Sequence, residues 1–197
     1  MMMMPRPTHT VRRFAASERG IAAVEFALVS PMLLLLLLGS IDAGRAVAIY
    51  MKVRSATYVV DSIANQYSII QDTDMQTILG ATSKVLSPYP SAPVVVVISQ
   101  VKVVAGGAAT VGWSDSLNGT ARSVGSTVTG FPAGLAVPTP PYNTSTCSAY
   151  PCYLILGEVS YTYTPMFGYF LSGAITLSDK LYVTPRNVNC IKRNASC

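Results

Sequence analysis

Apolar residues fill the chain from Ile21 to Ile41, interrupted by a single charge, Glu25. At about 1.5 Å of rise per helical residue the run reaches about 31 Å, which matches a bilayer hydrocarbon core of roughly 30 Å. It predicts one membrane-spanning helix, and no second run of comparable length follows. Past it, Ala56, Val60, Ile63, Ala64 and Tyr67 recur at helical spacing, while Lys52, Arg54, Asp61 and Gln66 fall largely off that stripe. The expectation is one long helix over residues 21–70, lipid-facing to about residue 43 and amphipathic beyond. Pro31 interrupts it, which spanning helices tolerate when neighbours compensate. The small residues Gly39, Ser40, Ala43 and Gly44 permit close approach of another helix. Asp42 and Arg45, three apart, are expected to pair on the helix surface at the outer membrane boundary.

Residues 72–86 predict a second, short helix whose Met75, Ile78, Leu79, Val85 and Leu86 share a face. Asp72 or Asp74 is placed to cap it, and Ser87-Pro88-Tyr89-Pro90 with Pro93 ends it. From Pro93 the pattern turns to β-branched residues at period two. Strands are predicted at 94–104, 110–114, 153–164 and 174–183, with a turn at Gly106-Gly107 and a hairpin signal at Asn118-Gly119. Residues 130–152 read as a proline-rich loop. The fold class is therefore α+β: a long N-terminal transmembrane helix continuing into a domain over 71–197, with a short helix and an antiparallel sheet of about four strands.

Charge adds orientation. The net charge is +5, but residues 1–20 hold Arg6, Arg12, Arg13 and Arg19 against Glu18 alone. Basic residues beside a spanning segment are retained on the cytoplasmic side, so the 1–20 leader is expected inside and the bulk of the chain in the periplasm. No clustered Lys/Arg face with interleaved aromatics appears in residues 71–197, which argues against a nucleic-acid partner. All four cysteines, Cys147, Cys152, Cys190 and Cys197, lie in the part placed outside. An even number there predicts disulfides; four cysteines allow three connectivities, and the local pairs Cys147–Cys152 and Cys190–Cys197 are the first choice. Their spacing without nearby histidine speaks against zinc.

Signals for catalysis are lacking, so no enzyme, metal or cofactor is expected. His9, the sole histidine, lies in the leader, and Asp115, Glu158 and Asp179 are scattered along the chain as surface charges. The residue that asks for a function is Glu25. Insertion scales charge an acidic group at the centre of a spanning helix roughly 2.5–3.5 kcal/mol. A carboxylate near enough to the interface to snorkel is the plain alternative.

The segment RGIAAVEFALVSPMLLLLLLGSIDAGRAV resembles the TadE-like family of the tight-adherence (Flp) pilus, and its start resembles the class III signal of type IV pilins. The resemblance implies cleavage between Gly20 and Ile21 by a prepilin peptidase that retains the apolar segment. It implies an assembly contact at Glu25 and Phe26, where the glutamate pairs with the N-terminal amine of an adjacent subunit. The partners it implies are the inner membrane, other pilins or pseudopilins, and the pilus assembly machinery. Glu25-Phe26, where Flp pilins usually carry Glu-Tyr, and the length of the chain favour a pseudopilin or minor pilin. The alternative is a membrane-tethered envelope scaffold or surface-ligand binding module with an uncleaved signal anchor. An ordinary secretory signal cut after Ala43 fits poorly, because the apolar run is long for such a segment.

Overall fold

A single helix, α1 (Glu18–Ala64), carries the chain from its apolar segment into the domain. The computed structural model describes residues 18–132, 150–168, 173–195 and 197. After α1 come β1 (Ile69–Ile70), α2 (Asp72–Leu86), β2 (Val94–Val103), β3 (Ala109–Leu117), β4 (Cys152–Tyr163), β5 (Ile175–Val183) and β6 (Lys192–Arg193). Strands β2 to β5 form one antiparallel sheet in the order β3-β2-β4-β5, and β1 pairs with β6 in parallel. The α+β class, the short second helix and the four-stranded antiparallel sheet are as the sequence predicts.

The stripe on the second half of α1 is what the sheet covers. Ile49, Val53, Ala56, Val60 and Ala64 are buried at helical spacing, and Ile63 and Tyr67 pack at the margin. They meet α2, through Met75, Ile78, Leu79 and Leu86, and one face of the sheet, through Val96, Ile98, Ile155, Val159 and Tyr161. Burying an aliphatic side chain of this size contributes about 1.5–3 kcal/mol, so this layer is the core of the domain. The opposite sheet face holds a smaller cluster of Val101, Val103, Val111, Leu154 and Leu156 with Val128 and Phe131. Carboxylate chemistry starts α2: Asp74 accepts the backbone N–H of Gln71 at 3.0 Å.

Two expectations are corrected. Asn118-Gly119 does not make a regular hairpin. Asn118 takes φ +55°, but its side chain donates to the Val94 carbonyl at 3.0 Å, and the segment after it returns to β3 only around residues 125–128, where Val111 and Val128 donate to the Ser126 and Ala109 carbonyls at 3.0 and 2.9 Å beside the bridge of Thr110 to Thr127. The hairpin of this sheet turns instead at Gly106-Gly107, both at positive φ. The charges expected at the surface are largely engaged. Asp115 and Asp72 both bind Arg193, with contacts of 2.9 and 2.6 Å, and Glu158 takes Arg122 in two hydrogen bonds of 2.7 Å. Arg193 thus fastens the C-terminal end to α2 and β3. Beside it, Cys190–Cys197 is a disulfide and Trp113 donates to the Ile191 carbonyl at 2.8 Å. Cys152 is buried and disulfide-bonded, while Cys147 lies outside the described residues.

Among the polar side chains buried between helix and sheet is an acid. Asp61, on α1, is fully buried, and neither carboxylate oxygen has a hydrogen-bond partner. It presses on Gly157 of β4, where an added Cβ would lie 2.6 Å from the Asp61 Cγ, so the helix approaches the sheet only because this strand position is glycine. Burial, and secondarily the charge of Asp179 on β5, pushes the Asp61 carboxyl up from 3.8 to about 8. The folded chain therefore holds a proton that the unfolded chain releases above 3.8. The resulting stability is fully present below that value and is lost as pH rises to about 8, at about 1.4 kcal/mol per pH unit. Asp61→Asn, neutral at every pH, is expected to flatten this slope. Thermal melts of the full-length protein at about pH 5 and about pH 8, within the window between the two carboxyl values, check it, and an unchanged difference between them counts against a neutral Asp61.

Candidate functional site

Among the described residues, nothing packs over the apolar half of α1. Ile21, Val24, Phe26, Leu28 and Leu33 to Leu37 are exposed, and among the described residues this is the one helix long and apolar enough to cross a membrane. Gly20, Ile21, Glu25 and Phe26, the residues singled out for processing and assembly, all lie on this bare segment, close to its start. A Cβ built on Gly20 would meet nothing within 4 Å, so the fold itself does not require glycine there. Glycine in a helix costs about 1 kcal/mol relative to alanine, a cost that packing leaves unexplained.

The exposed apolar surface does not stop where the domain begins. Val47, Tyr50, Met51 and Tyr58 continue it along the outer side of α1, while Ile49, Val53, Ala56 and Val60 are buried against the sheet. That outer stripe escaped the reading of the sequence. Its members were legible as apolar residues, but two interleaved stripes on one helix look like a single diffuse one until the sheet selects between them.

Asp42 marks the change of environment. It is 2 % exposed, the first buried residue after the leucine run. Its carboxylate accepts the backbone N–H groups of Met166 at 3.0 Å and Phe167 at 3.1 Å, in the turn that follows β4. The Tyr163 hydroxyl donates to the Asp42 carbonyl at 3.3 Å, and burial together with the nearby Asp42 carboxylate pushes the Tyr163 phenol up. The expected surface pair of Asp42 with Arg45 is therefore corrected. Asp42 turns inward to amides that no i,i+3 rule reveals, because they lie 124 and 125 positions along the chain. Arg45 is left with a hydrogen bond to the Met166 sulfur at 3.4 Å. Among the described residues, no three His, Cys, Asp or Glu side chains come together as metal ligands.

Residues 20–60 match the model of a family described as TadE-like protein. The match runs from Gly20 through the apolar segment and most of the buried half of α1, the stretch on which the sequence shows its resemblance, and supports a protein associated with the tight-adherence pilus. No curated protein and no solved structure matches the chain.

The junction yields a comparison of two neighbouring residues. Asp42→Ala leaves two amides without their charged acceptor and is expected to destabilise the domain by about 2–3 kcal/mol. Arg45→Ala is expected to change stability by less than about 0.5 kcal/mol. Denaturation of the full-length protein in detergent measures both; equal losses would restore the Asp42–Arg45 pair.

Proposed function

We propose that this chain is a pseudopilin or minor pilin of a tight-adherence, Flp-type pilus, working by helix packing rather than by catalysis. In this reading α1 anchors it in the bacterial inner membrane, with the 1–20 leader in the cytoplasm and the α+β domain in the periplasm. The observation that carries the reading is the bare helix: α1 presents an exposed apolar surface from Ile21 past the membrane boundary to Tyr58, and nothing among the described residues covers it. Surface of this kind is unfavourable in water and is suited first to lipid and then to the like helices of neighbouring subunits. The match over residues 20–60 supports the same reading.

The start of that helix acquires a role in the same scheme. A prepilin peptidase would cut between Gly20 and Ile21, and a glycine free of packing demands presents no side chain to the cleft that must admit it. The new amine on Ile21 has an ordinary pKa of about 8 and is largely cationic at neutral pH. Glu25 of an adjacent subunit then neutralises it, which offsets the cost of holding either charge in a membrane or in a helical bundle. Phe26, exposed beside it, adds apolar contact area.

Two measurements test this. The intact mass of protein purified from membranes is expected to begin at Ile21, and a chain that keeps its leader would sink the maturation step. Glu25→Ala is expected to enter the membrane as well as the unaltered chain yet fail to join pilin assemblies in crosslinking. Normal assembly of that variant would remove Glu25 from the mechanism and leave it a hydrated interfacial carboxylate.

A further inference from the structure

Where α1 enters the domain, a cavity of about 620 Å³ opens between the helix and the sheet. Arg45 and Ile49 of α1 form one wall, Tyr89 and Pro93 of the connection after α2 another, and Tyr161 and Thr162 of β4 a third. We propose that it binds the phosphate headgroup of an anionic phospholipid, taken from the leaflet through which α1 leaves the membrane. The inference rests on the reading of α1 as membrane-spanning.

Position is the first argument. The apolar run ends at Ile41, and Asp42 is already held by domain amides. Arg45 stands three residues on, about 4.5 Å along the helix axis. The headgroup layer outside the hydrocarbon is roughly 5–7 Å deep on each side, so the guanidinium lies at the height of the lipid phosphates.

Charge is the second. Arginine offers five N–H donors in a planar fork suited to two oxygens of one phosphate. Here its hydrogen bond goes to the Met166 sulfur, a weak acceptor, and none of the ion pairs among the described residues includes it. The neighbouring carboxylate, Asp42, is turned away to the Met166 and Phe167 amides. The fold thus withdraws the natural partner of Arg45 and leaves a cation facing the cavity.

The lining is the third. Tyr89, Tyr161 and Thr162 bring hydroxyls, and Ile49 and Pro93 bring apolar surface. Tyrosine at the membrane interface keeps its ring toward apolar groups and its hydroxyl toward water and headgroups. A phosphodiester on the guanidinium, with its glycerol against the apolar wall and its acyl chains along the leucines of α1, meets each surface with its own kind. A free phosphate would leave the apolar wall unused, which favours the lipid source.

The test uses the full-length protein reconstituted into vesicles of phosphatidylcholine with phosphatidylglycerol, then released into mild detergent for native mass spectrometry of retained lipid. Unaltered protein is expected to retain phosphatidylglycerol over phosphatidylcholine. Arg45→Gln is expected to lower that retention about tenfold, the change that corresponds to losing a charge-assisted pair, with an unchanged melting temperature. Arg54→Gln removes an exposed cation elsewhere on the same helix and should retain lipid as the unaltered chain does. Equal retention by Arg45→Gln, or an equal loss in Arg54→Gln, overturns the site. Displacement of the lipid by inorganic phosphate in the detergent sample overturns the lipid source. Failure of the anchor is separately visible: all variants would then wash off the vesicles at alkaline pH, which overturns both readings, whereas failure of the site alone leaves every variant embedded without lipid preference.

Discussion

The carboxylate of Asp42 and the two amides that donate to it, those of Met166 and Phe167, fix where the bare half of α1 gives way to its covered half. Upstream, α1 is bare and, Glu25 apart, uncharged from Ile21 to Ile41; downstream, one side of it lies beneath a sheet. A helix that served only one of these environments would need either a polar outer face or a uniformly apolar one. Because the first buried residue after the leucine run is a carboxylate satisfied by the domain, the sheet cannot slide toward the apolar half of α1 without stripping it of its donors. This contact marks where the exposed apolar surface ends on one side of α1 and the covered stripe begins.

The rest of the domain closes around α1 from its far end. The C-terminal segment returns so that β6 pairs with β1, and Arg193 reaches Asp72 at the start of α2 and Asp115 on β3. The Cys190–Cys197 disulfide ties the same segment over the Trp113 side of the sheet. Such half-buried ion pairs add modest stability individually, and their effect here is to hold three elements in register. Inside this frame Asp61 is an exception. It buries an acid with no partner at the closest approach of helix and sheet, and the core tolerates it by keeping it neutral.

Much of this was legible in the sequence for physical reasons. The apolar run of α1, the shared face of α2 and the period-two strands are local patterns, and each is repeated often enough to stand out. The short pairing of β1 with β6 was not legible, because two-residue strands have no period and their register is set by a tail more than a hundred residues away. The partners of Asp42 were hidden for the same reason. Asn118-Gly119 misled because its turn chemistry is genuine, yet the Asn118 side chain is spent on the Val94 carbonyl and the chain returns to β3 only at residues 125–128, too far on for a tight hairpin. For the bare segment, the sequence named Gly20, Ile21, Glu25 and Phe26, whereas the outer stripe of Val47, Tyr50, Met51 and Tyr58 needed the sheet to show which side remained free.

The grip of the domain on α1 also has a mechanical side. Contacts run along the helix from Asp42 to Ala64, through Ile49, Val53, Ala56 and Val60, and do not gather at one end. A pull along the helix axis therefore loads these contacts together, in shear, and cannot peel them apart one after another. Pro31 and the leucines transmit that pull as part of one continuous helix. The segment that reads first as an anchor is thus also a drive rod, and a domain clamped along half its length moves with it as a single piece.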